Sequence, residues 1–270
     1  MKASKIFEFF IILIIMLAVS MTLFTPIPNN TKLIFRITLI VIFFITWGLL
    51  YKKDLTTVKD LAFALFILNL AFLIVSFFPS DFWNLKMESS KGFALSKLSD
   101  SLIISLVIIL SFLFGGYKLK SIYLNKGRLI LGISVGIIFF IVLGYLAINN
   151  PQFKMEADFL KENYPWILIF VFANGFMEEL IYRGIFLKKL NQVMKPVWSI
   201  ILTSICFATP HLTVNYAEDI FFFFGIVFVL GMITGFAMYY TRSIIAPMLI
   251  HAGADLMIIL PVFASYGVTN

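Results

Sequence analysis

Six ionisable residues lie inside apolar runs of this chain: Glu178, Glu179, Arg183, His211, His251 and Asp255. They read "NGFMEELIYRG", "FATPHLTVNY" and "HAGAD". The chain has 2 histidines, and both belong to this set. Carboxylates beside imidazoles are the groups that take a proton from water, or that hold a metal which activates it. A charge at mid-bilayer costs about 3 kcal/mol on insertion scales, so each such group needs a partner or a task.

Spacing separates two roles. Glu179 and Arg183 are four residues apart on a helix, so they share a face and can pair. Glu178 is turned about 100° from Glu179 and shares its face with Asn174 and Tyr182. One glutamate therefore has a built-in cation and the other has none. The unpaired carboxylate is the better general base, because its surroundings can tune it. His251 and Asp255 share a face by the same spacing. Pro210 bends or breaks the helix just before His211, and irregular backbone at depth is tolerated only where it meets protein or water. The polar run after His211 fits a wet cavity. A bland reading stands beside this one: a helix-locking ion pair and interhelical hydrogen bonds, with Phe207 as packing. It leaves unexplained why both histidines and nearly all deep acids fall in the same three segments.

Those segments belong to a membrane chain. Of 270 residues, 61% are hydrophobic and 13% charged, with mean hydropathy +1.01. Soluble domains are closer to half apolar and a quarter charged. The expected fold is an all-α polytopic membrane protein, a bundle of about 8–9 transmembrane helices with an intramembrane cavity. Candidate spans are roughly 6–25, 33–51, 61–78, 101–117, 129–148, 165–190, 196–211, 219–240 and 243–263. The long 79–100 connection has room for an interfacial helix. The first apolar run is followed by no small-residue cleavage site and reads as a retained helix. Strand alternation is absent, which argues against a barrel. The single Cys206 excludes an internal disulfide. Glu8 and Arg36 lie near segment ends, where they can snorkel.

The net charge of +7 reads as topology rather than nucleic-acid binding, because no basic patch interleaved with aromatics appears. Lysine and arginine crowd alternate connections: Lys2 and Lys5; Lys52, Lys53 and Lys59; Lys118, Lys120, Lys126 and Arg128; Lys188, Lys189 and Lys195; and Arg242. The intervening connections carry only Lys32, Lys86, Lys91, Lys97, Lys154 and Lys161. The bias predicts a multi-pass cell-membrane protein with a cytoplasmic N-terminus and an external C-terminus. Helical rise then places Glu178, His211 and His251 about 18, 22 and 12 Å from the same membrane face. All three can meet near mid-bilayer.

With these motifs the chain resembles the CPBP family of CAAX-protease and bacteriocin-processing membrane proteins. The family pattern EExxxR, FxxxH and HxxxN/D reads here as Glu178, Glu179 and Arg183; Phe207 and His211; His251 and Asp255. The resemblance covers roughly residues 165–263. It implies an intramembrane endopeptidase acting on a membrane-associated peptide or protein, with a lipidated substrate in some relatives. It implies Glu178 and His211 as the water-activating pair and His251 with Asp255 at the oxyanion position. Glu179, Arg183 and Phe207 have supporting roles. Asp255 stands where some relatives have Asn, and an ionised carboxylate only accepts hydrogen bonds. Asp255 is therefore expected to orient His251 or to ligate a metal. The soluble zinc signature HExxH is absent. Glu178, His211, His251 and Asp255 are still chemically able to bind zinc or another divalent metal, so the cofactor stays open.

The resulting division is 1–164 as N-terminal transmembrane helices without a motif, 165–263 as the CPBP-like core and 264–270 as a short external tail, all in one membrane domain. The expected partners are lipid and a peptide or membrane-protein substrate, with no nucleic acid. The sequence assigns no oligomeric state and no substrate identity. A non-enzymatic scaffold or bacteriocin self-immunity protein is the alternative. A proton-coupled transporter ranks lower, since no matching half-repeats of broken helices are visible.

Overall fold

The computed structural model describes residues 3–24, 29–51, 56–150, 157–213 and 219–266. Lys2, Lys52, Lys53 and Lys154, the polar run at 214–218 and the tail at 267–270 lie outside the described residues, as does the side chain of Glu8. Among the described residues the chain is helical, without strands. The long helices are α1 (Ala3–Phe24), α2 (Asn29–Leu50), α3 (Thr56–Val75), α4 (Ser90–Phe114), α5 (Leu129–Ile148) and α6 (Ala157–Glu179). A π-helical segment (Leu180–Leu187) continues α6 and ends in one α turn (Lys188–Leu190). Then come α7 (Pro196–Ala208), a 3-10 turn (Thr209–Thr213), α8 (Ile220–Thr241) and α9 (Ile245–Ser265).

Seven of the described helices are long and apolar enough to cross a bilayer. The seventh expected span is shorter than the sequence suggests. α7 has 13 residues, about 20 Å of rise, and gives way to the 3-10 turn carrying Pro210 and His211. Proline cannot donate a backbone hydrogen bond, so regular winding stops there. Two other helices start earlier than their apolar runs. α4 begins at Ser90, capped by the Ser89 hydroxyl, which accepts from the Gly92 N–H at 3.1 Å. α6 begins at Ala157 and carries Pro165 in its interior. The 79–100 connection holds only a short 3-10 turn (Ser80–Trp83) before α4.

Large aliphatic side chains such as Ile34, Ile45, Ile130, Ile138 and Ile141 point outward from α2 and α5. In a bilayer that surface meets lipid and needs no further cover. Arg36 does not snorkel as expected. It is buried and donates to the carbonyls of Phe72 at 2.9 Å and Thr22 at 3.4 Å, tying α2 to α3 and α1. The two motif helices α6 and α9 pack on each other, flanked by α4 along α6 and α5 along α9. α7 and α8 pair beside them. The α6–α9 approach is set by Gly175. A Cβ there would sit 3.1 Å from the Met248 carbonyl oxygen and 3.4 Å from the Ala252 nitrogen, so glycine lets the helices come close.

Candidate active site

Glu178 and Glu179 end the regular part of α6, and Arg183 lies inside the π segment. π-helical turns are uncommon and concentrate at functional sites. Arg183 is completely buried. Its Nη1 donates to Glu179 Oε1 at 2.9 Å, and its Nη2 donates to the Gly231 carbonyl on α8 at 3.0 Å. The guanidinium also lies 4.5 Å from the centre of the Phe207 ring on α7, a cation–π contact. One arginine thus ties α6, α7 and α8 together.

Glu179 does more than neutralise this cation. The same Oε1 lies 2.8 Å from His251 Nδ1 on α9. Glu179 is therefore a junction between the ion pair and the imidazole, and it fixes the ring from its Nδ1 side. The other ring nitrogen, Nε2, faces Glu178 Oε2 at 3.8 Å and Asp255 Oδ1 at 3.5 Å. Asp255, expected to orient His251 itself, sits on the Nε2 side. Its second oxygen accepts from Asn174 Nδ2 at 2.9 Å. Asn174 shares the face of Glu178, and its deep amide was the only sequence sign of this task.

Exposure divides the carboxylates. The side chain of Glu179 is 0% exposed, whereas those of Glu178 and Asp255 each retain 12%. Of these three carboxylates, only the latter two can meet a water molecule. His211 is half-buried, with Nδ1 2.9 Å from the carbonyl of Phe207. It is close enough to Glu178, His251 and Asp255 to feel their charges. Phe207 stands in ring contact with both histidines, 5.2 Å from His211 and 5.4 Å from His251 between centroids.

Among the described residues, no group of three or more His, Cys, Asp and Glu side chains is arranged to hold a metal ion. His251 Nδ1 is engaged by Glu179 and His211 Nδ1 by its own backbone, which leaves Nε2 as the nitrogen each ring could offer a metal. A divalent ion would draw on these two nitrogens with Glu178 and Asp255, and would polarise the attacking water.

The fold and the site define a polytopic α-helical membrane protein with a buried carboxylate–imidazole centre between two packed helices. Residues 161–257 match the family model described as Type II CAAX prenyl endopeptidase Rce1-like, about a third of the chain. The match runs from α6 into α9 and leaves α1–α5 outside it. No curated protein and no solved structure matches the chain.

Proposed function

We propose that the protein is an intramembrane endopeptidase that hydrolyses a peptide bond in a membrane-associated peptide or protein, with Glu178 as general base. The observation that carries this reading is the placement of His251 Nε2 between Glu178 and Asp255, while Glu179 fixes Nδ1. Glu178 is the water-accessible carboxylate on α6 that lacks the arginine.

In this mechanism Glu178 takes a proton from water, and the water oxygen bonds to the scissile carbonyl carbon. The carbonyl electron pair moves onto its oxygen. A doubly protonated His251 donates its Nδ1–H to Glu179, and its Nε2–H, with no close acceptor, donates to the developing oxyanion. The C–N bond then breaks as Glu178 passes its proton to the departing amine. His211, half-buried nearby on the turn after α7, helps hold the water. Asp255, anchored by Asn174, keeps the Nε2 side of the ring in place as a positioning residue. A lipidated substrate fits the membrane setting, and the lysine and arginine distribution supports a cytoplasmic N-terminus.

The test is cleavage of candidate membrane peptides followed by mass spectrometry. Wild type should cut, and Glu178→Gln should cut about 10²–10⁴-fold more slowly. Equal cutting by both removes Glu178 from the role of base. A wild type that cuts nothing, yet retains a co-purifying partner, moves the reading to a scaffold or immunity protein.

A further inference from the structure

A second polar feature lies away from the carboxylate–imidazole centre. On the face of the α6–α7 turn, a cavity of about 530 Å³ is lined by Lys118, Lys120, Lys188 and Arg242, together with Tyr117 and Tyr123. Its lining contains no carboxylate. The cations come from three separate stretches: the α4–α5 connection, the last turn before α7, and the α8–α9 turn. Lys188 lies near enough to Arg242 and Lys120 to be repelled by both. It rests 4.3 Å above the Tyr123 ring. Folding gathers like charges here, and Asp60, which touches the lining by accepting from the Tyr117 hydroxyl at 2.8 Å, is paired with Lys189 at 3.5 Å rather than with these four cations.

The backbone is built to hold this arrangement. Among the described residues three non-glycine positions have left-handed backbone, Asn84, Tyr123 and Arg242, and two of the three line the cavity. Such conformations persist only where the surroundings enforce them, and they cluster at functional sites. The Arg128 N–H donates to the Thr241 carbonyl at 2.7 Å. Gly127, at φ +49, packs where a Cβ would collide with the same carbonyl. The two connections are thereby pinned together beneath the cations.

The location selects the ligand. α4, α5, the α6 extension, α8 and α9 all begin or end at this cavity, so it sits at headgroup depth. Tyrosines at that depth fit the interfacial belt, and basic pockets between membrane helices are suited to anionic headgroups. We propose that this cavity binds the phosphate of an anionic phospholipid from the adjoining leaflet, with Lys118, Lys120, Lys188 and Arg242 as its cationic contacts. The site is independent of the peptidase reading.

The experiment uses the full chain in zwitterionic detergent, titrated with short-chain phosphatidylglycerol, phosphatidylcholine or inorganic phosphate and read by native mass spectrometry. Phosphatidylglycerol should bind in preference to phosphatidylcholine. The double variant Lys118→Gln/Lys120→Gln, on an exposed connection, should weaken phosphatidylglycerol on the order of 30-fold and leave phosphatidylcholine unchanged. Lys188→Gln gives a second, independent reduction. Equal binding of the two lipids overturns the proposal, as does wild-type phosphatidylglycerol affinity in the double variant. Saturable binding of inorganic phosphate that excludes phosphatidylglycerol would assign the cavity to a soluble anion instead.

Discussion

Glu179 Oε1 lies 2.8 Å from His251 Nδ1 while still accepting from Arg183 at 2.9 Å. Two helices meet on a single oxygen, which serves a guanidinium and an imidazole at once. Removing that oxygen leaves a buried guanidinium without its counter-ion, a loss of about 3–5 kcal/mol. Glu179→Ala should therefore lower thermal stability in detergent and abolish cleavage together. Glu179→Ala/Arg183→Met should recover much of the stability but none of the cleavage, because His251 stays unfixed. Full activity in the double variant would show that the Glu179–His251 contact is dispensable.

Glu178 should behave differently from its neighbour. It carries no comparable ion pair and retains access to water. Glu178→Gln should lose nearly all cleavage while its unfolding temperature stays within a few degrees of wild type. Parallel thermal melts and peptide assays on the two glutamate variants check this contrast.

Asp255→Asn should retain substantial cleavage. The ring is already held at Nδ1 by Glu179, and an asparagine oxygen can still accept from Asn174. Asn174→Asp should be worse than Asp255→Asn, since it sets two carboxylates against each other where a 2.9 Å hydrogen bond stood. Relative cleavage rates of these two variants decide it; the reverse order would place Asp255 in a role that needs its charge.

Gly175→Val should disable the site without touching a polar group. The nearest backbone oxygen, of Met248, allows a methyl only if a neighbour gives by a few tenths of an ångström. Two further methyls must spread α6 from α9 and pull His251 away from both glutamates. Gly175→Ala should fall between wild type and valine in both cleavage and melting temperature.

Much of this centre was legible in the sequence. Deep charges in an apolar chain are costly enough to stand out, and helical spacing paired Glu179 with Arg183 and His251 with Asp255. Spacing within one helix cannot reveal a partner on another, so the second bond of Glu179 went unseen. The same limit hid the hold of Asn174 on Asp255 and of Arg183 on the Gly231 carbonyl. Hydropathy set the start of α4 too late, because Ser90, Lys91, Ser96 and Lys97 are polar residues that nonetheless wind as helix. Length alone made 196–211 look like a span, although Pro210 ends its regular winding early. Arg36 looked like an interfacial anchor, but nearby carbonyls of Phe72 and Thr22 satisfy it inside the bundle.

The π segment Leu180–Leu187 separates the glutamates from Lys188 and Lys189. It takes more residues per turn than an α-helix does. Dropping one residue would let the stretch relax to ordinary winding, and the lost residue and the tighter turn would offset each other, so the cationic end would keep much of its phase against the acidic centre. What would be lost is the wide turn that carries Arg183 to the Gly231 carbonyl and the Phe207 ring.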